Sequence, residues 1–248
     1  MKLPRHYKLI ACEIMFREIS YCASRSFHIV DIQFMPKGLH DIGEGKMRER
    51  LQQAINDVDI TKYDQILLGY GLCNNGIRGL RARLPMVVPR AHDCITLLLG
   101  SKEKYYQYFD KDSGTFFKSP GWVERDLDPG DLPQSIPSQL GMGRNFQEYQ
   151  EKYGLENAEY LMEALGDWFK NYRKLAYIDT GIGDFQHYKE LTKDQAVEKG
   201  WEYEELKGSV SLIQKLMDGP WDEKDFLRIP PGKTIQALYD REKIIDCE

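Results

Sequence analysis

Three cysteines and a histidine hold most of the chemistry open to this chain. Cys12 follows the apolar run Lys8-Leu9-Ile10-Ala11, and Cys73 follows Gly69-Tyr70-Gly71-Leu72. His92 and Cys94 stand in Pro89-Arg90-Ala91-His92-Asp93-Cys94, directly after the apolar stretch Pro85–Val88. Singly, each cysteine reads as a small buried hydrophobe. Together, with His92 two residues from Cys94, they read as ligands for a soft or borderline ion. Three thiolates, with or without an imidazole, make a zinc set, and iron or an iron–sulfur cluster takes thiolates as well. Three protein ligands and one open position would make the ion a Lewis acid or thiol activator.

Supporting groups surround these four. Arg90 is suited to holding an anionic substrate in a two-pronged contact or to offsetting thiolate charge, and a salt bridge is its plainer use. Asp93 is placed to orient a ligating imidazole, and Glu13 to serve as a general base. The turn Gly69–Gly76 resembles a phosphate cradle in outline, although its spacing matches neither dinucleotide nor P-loop patterns. Gly71 and Asn74 in that turn, with Asp179 after a later strand, are the expected cofactor contacts. Cys22 on a helical face and Cys247 are read as structural. A metal-free alternative uses one cysteine as nucleophile, His92 as base and Arg90 as anion clamp.

The elements that must position these groups alternate. Apolar runs at 8–11, 27–35, 63–68, 85–88, 175–178 and 226–229 read as strands, separated by helical patterns at 13–23, 45–58, 95–109, 191–200 and 209–217. The pattern predicts one α/β domain over 1–248, three-layered, with a mainly parallel, doubly wound Rossmann-like sheet. An irregular insertion or lid is expected at about 110–145, and helices over 145–173. In such sheets ligands bind beyond the carboxyl ends of the strands. Cys12, Cys73, His92–Cys94 and Asp179 all fall at strand ends, and that phasing argues for a site rather than scattered core thiols.

Composition narrows the partners. The 248 residues carry a net charge of −5 without a long basic run, which argues against nucleic acid. No stretch approaches the roughly 20 apolar residues of a membrane span, and the first residues lack a signal peptide's apolar core. The expectation is a soluble, cytoplasmic protein acting on a small-molecule substrate, with no membrane partner. Its five cysteines contain no C-x-x-C pair, so any metal site must be assembled from distant loops.

The same segments carry a family resemblance. I-A-C-E at 10–13, G-L-H-D at 38–41, L-L-G-Y-G-L-C at 67–73, P-R-A-H-D-C at 89–94 and S-P-G-W at 119–122 form one set. D-T-G at 179–181, G-P-W-D-E-K-D-F at 219–226 and P-P-G at 230–232 complete it. In that order they resemble the family catalogued as domain of unknown function 1638. The family has no established activity. The resemblance implies an association with corrinoid-dependent methyltransferase components, hence a methylated substrate and a corrinoid protein as a possible partner, for an enzyme or a metal or cofactor chaperone. His92-Asp93-Cys94 also resembles the local element of zinc enzymes that activate a thiol for methyl transfer.

Overall fold

A computed structural model describes residues 3–39, 44–127, 172–238 and 240–248. Strand β1 (His6–Cys12) runs through a single turn of 3-10 helix, Glu13–Met15, into helix α1 (Phe16–Arg25). Then come β2 (Ile29–Met35), α2 (Glu44–Asn56), β3 (Gln65–Gly69) and β4 (Met86–Pro89). Next follow α3 (Cys94–Leu99), α4 (Lys102–Lys111), β5 (Thr115–Lys118) and α5 (Pro120–Leu127). After the undescribed stretch come β6 (Lys174–Asp179), α6 (Gln186–Glu198), β7 (Glu202–Lys207) and α7 (Ser211–Asp218). Strands β8 (Phe226–Ile229), β9 (Ile235–Ala237) and β10 (Ile245–Cys247) complete the described elements.

The main sheet has the order β2-β1-β3-β4-β8. The first four strands are parallel, and β8 runs antiparallel against β4. Every residue of β3 and β4 is buried, which explains why their sequences are unbroken apolar runs rather than alternations. Burying one such Leu, Ile or Val contributes about 1.5–3 kcal/mol, so these strands anchor the core. The chain leaves β1 for the edge position of β2, then returns past β1 to form β3. The strand order therefore reverses between β1 and β3, the crevice where parallel sheets bind ligands. Cys12 ends one of those strands and the Cys73 loop leaves the other.

The expected single sheet is in fact divided. Strands β5, β6 and β7 form a second, wholly parallel sheet, and β9 and β10 a small antiparallel hairpin. Asp179 therefore ends a strand of the second sheet, not of the thiol-bearing one. The described part of the expected irregular insertion, up to Leu127, is regular: the end of α4, then β5 and α5. The rest of that insertion, the helices expected over 145–171 and His40 lie outside the described residues. The second sheet shares its hydrophobic core with the first through Ala176, Ile178 and Leu206. Backbone bonds tie the two together, Ser209 N–H donating to Leu98 O at 2.8 Å. Among the described residues, no helix is long and apolar enough to cross a membrane.

Candidate thiol centre at the strand ends

Two loops carry the thiols, and they are joined backbone to backbone. Leu72 N–H donates to Ala91 O and Cys73 N–H to His92 O, both at 2.8 Å. Gly71 permits this closeness, because a Cβ there would lie 2.5 Å from the Asp93 nitrogen. The turn that follows is left-handed at three successive residues, with φ of 45° at Cys73, 54° at Asn74 and 65° at Asn75. Each such residue costs roughly 1–2 kcal/mol, less for asparagine, so the turn persists only because its surroundings hold it. Gly76 N–H closes it by donating to Cys73 O at 3.0 Å. Strain of this kind gathers at functional sites.

The three cysteines lie at one edge of the main sheet. Cys12 is buried, while Cys73 and Cys94 keep part of their surface open with their sulfur atoms deep. Burial pushes both latter thiols far above the ordinary cysteine range, the charges of Asp93 and Cys12 push both further, and that of Cys73 pushes Cys94. Cys12, Cys73 and Cys94 are therefore within electrostatic reach of one another. Against this push, the backbone of Gly71 and Cys94 bears on Cys73 in the lowering direction, and the Trp122 side chain does the same for Cys94. No lysine or arginine is among the groups that weigh most on Cys73 or Cys94.

Trp122 and Tyr70 did not emerge from sequence reasoning as site residues. Trp122 is delivered by α5, which seats against the turn after β1 because Gly121 has no side chain to strike the Ile14 carbonyl. Lys37 lies over the indole ring, 5.1 Å from its centroid. The S-P-G-W segment was the available signal, since a proline and glycine opening a helix before a lone tryptophan is a local device. Tyr70 directly follows β3. It is 2% exposed, its hydroxyl has no partner among the described residues, and it senses all three thiols and Glu13.

The remaining expected residues have other tasks. Asp93 caps α3, its Oδ1 accepting from Ile95 N–H at 3.0 Å and Thr96 N–H at 3.2 Å. Burial raises its carboxyl to about 6 despite those bonds. It does not touch the imidazole it was expected to orient by any described hydrogen bond. His92 Nε2 is bonded to the Tyr106 hydroxyl at 2.5 Å, and its ring stacks on Tyr105 at 5.6 Å. Burial first, then Arg241, lowers its pKa. Arg90 is neither an anion clamp nor a partner of Asp93 here. Its Nε donates to Glu223 O and its Nη1 to Lys243 O, both at 2.8 Å, and Nη1 also reaches Ile245 O. Buried Lys102 does likewise, donating to Lys224 O at 2.9 Å and to Glu242 O. Glu13 accepts from Lys37 N–H at 2.8 Å and pairs with Arg125 at 3.4 Å. Cys22 is a core thiol, raised to about 12 by burial, and Cys247 lies in β10.

Gly71 and Asn74 thus shape the thiol loops, whereas Asp179 stands apart. It accepts from Gly181 N–H at 2.8 Å, pairs with Lys189 at 2.7 Å, and lines a cleft of about 380 Å³ beside Thr180, Lys207 and Gly208. Among the described residues, no group of three or more His, Cys, Asp or Glu side chains is arranged to hold a metal ion as it stands.

Comparison with known families decides the kinship. The model described as "Protein of unknown function (DUF1638)" matches residues 34–217. The chain belongs to the DUF1638 family. No curated protein and no solved structure matches it. The DUF1638 match takes in Cys73, His92, Cys94 and Trp122, while Cys12 precedes it. The thiol centre of this DUF1638 member therefore spans the matched region and the first strand.

Proposed function

We propose that Cys12, Cys73 and Cys94 hold one soft or borderline divalent ion, zinc first, and leave a fourth position for a small-molecule substrate. One observation carries this reading: the Cys73 and Cys94 loops are joined backbone to backbone at the sheet edge where β1 ends in Cys12, and burial with neighbouring negative charge pushes the Cys73 and Cys94 thiols up. A bound divalent ion is what makes a buried thiol a thiolate. The sulfurs would close on the ion by side-chain rotation from loops whose backbones are already joined. Zinc in this setting supplies a Lewis acid that lowers the pKa of a bound thiol or water. Trp122, Gly71 N–H and Cys94 N–H would fix the sulfurs and temper their charge, as hydrogen bonds around metal-bound thiolates do. His92 would join as fourth ligand through Nε2 only by releasing Tyr106, and Glu13 would act as base only by releasing Lys37 and Arg125.

The reaction best suited to such a centre is alkyl transfer involving a thiol. The family resemblance narrows it to methyl transfer with a corrinoid protein as partner. Five free thiols fit a reducing compartment, so we place the protein in the cytoplasm. Right-handed crossovers through the order β2-β1-β3 would set α1 and α2 on opposite faces, making the main sheet doubly wound. The test is anaerobic purification of the full chain with elemental analysis and absorbance spectroscopy. One equivalent of zinc, lost in Cys73→Ser, is the expected result. Iron with visible charge-transfer bands would replace zinc by a cluster or iron, and metal-free protein that turns over a methyl donor would overturn the centre. Delivery of metal or corrinoid to a methyltransferase without turnover would make the protein a chaperone.

A further inference from the structure

Tyr70 is an expensive choice for its position. Its side chain is buried and its hydroxyl meets no acceptor among the described residues. A phenylalanine would fill the same space without burying an unmatched donor. The register explains what the hydroxyl is near. Ala11 of β1 pairs with Gly69 of β3 in parallel, so Cys12 and Tyr70 are the next residues on adjacent chains at the carboxyl edge. Neighbours of this kind in a parallel sheet project to the same face. Tyr70 also senses Cys12 more strongly than any other charged group, followed by Cys73, Glu13 and Cys94. Thiol sulfur is a weak acceptor, whereas a metal-bound thiolate is a strong one. The hydroxyl is thus idle beside thiols and useful beside thiolates.

We infer that Tyr70 is a positioning residue for the centre, its hydroxyl donating to a thiolate of the loaded site, with Cys12 nearest in register. This rests on the metal-thiolate reading above and adds to it a residue that favours the loaded state over the empty one. The groups that bear on the sulfurs then come from different elements: the loop backbone, the Trp122 side chain and the Tyr70 phenol.

The test compares wild type with Tyr70→Phe in the full chain, metal-free and loaded with zinc or cobalt(II). Metal-free Tyr70→Phe should melt at or above wild type, because it loses only an unmatched hydroxyl. Its zinc affinity, measured by chelator competition, should fall about tenfold, as when outer partners of metal ligands are removed. The cobalt(II) protein's sulfur-to-metal charge-transfer band should also shift, which a merely structural role would not produce. Wild-type zinc uptake with affinity and band unchanged in Tyr70→Phe overturns the role of Tyr70 alone. A lower melting point of the metal-free variant assigns Tyr70 to packing and overturns it too. No zinc uptake by wild type overturns the centre itself and this inference with it.

Discussion

At the end of β6, Asp179 is met by Lys189 at 2.7 Å, and Glu205 shares that lysine at 3.1 Å. At the ends of β1, β3 and β4, burial and the charges of Asp93 and Cys12 push the Cys73 and Cys94 thiols up, and no cation is among the groups that weigh most on either. Both edges belong to parallel sheets and both gather polar residues where ligands bind. The second edge has balanced its charges internally. At the first, the charges that weigh most on Cys73 and Cys94 are negative. Strand-end position alone therefore does not distinguish the two edges; the sign of the neighbouring charge does.

The comparison breaks first on zinc. A hundredfold excess over the dissociation constant should stabilise wild type by about 2.7 kcal/mol and raise its melting temperature, an effect absent in Cys73→Ser. Thermal melting with and without zinc checks it, and an equal shift in the variant would remove the thiol edge from the explanation. Next in size is Gly71→Ala, whose methyl would press on the Asp93 backbone. Loss of about 2 kcal/mol in urea unfolding, with weakened zinc uptake, is expected.

The pH response sharpens the contrast at Asp93. Its carboxyl rises from 3.8 to about 6 on folding, chiefly through burial. The folded chain therefore binds that proton more tightly than the unfolded chain, and stability falls as pH rises through this window. Between about pH 4.5 and about pH 7, metal-free wild type should lose about 1–2 kcal/mol relative to Asp93→Asn, which keeps the capping acceptor. Parallel pH profiles of urea unfolding would refute this. The smallest effect belongs to the balanced edge: Asp179→Ala should cost about 0.5 kcal/mol, since its lysine pair is partly exposed, and should leave zinc affinity unchanged.

What could be read from the sequence follows from how locally each feature is encoded. Apolar runs broken by Cys12, by the Gly69–Gly71 turn and by Pro89 gave the three strand ends, because buried parallel strands leave a continuous signature. The split into two sheets left no such mark, as β6 reads like any other buried strand. Arg90 and His92 looked chemical because their neighbours were, yet the carbonyls that hold Arg90 lie 133 to 155 residues away. Tyr70 was passed over because glycines on both sides made the stretch look like a turn, and its burial is a property of the packed sheet. The hairpin of β9 and β10, too short for a pattern, was also silent.

The carbonyl oxygens around Arg90 and Lys102 have a further consequence. Oxygen dipoles from 223, 224, 242, 243 and 245 converge on positive charge in the manner of ligands around an alkali ion. Here the charges are tethered to β4's exit loop and the start of α4, so they cannot be exchanged, diluted or chelated. That corner is permanently loaded, and the C-terminal segment is latched to the loop that leads to His92 and Cys94. Chelation of the whole protein should accordingly loosen the thiol loops while leaving this latch shut.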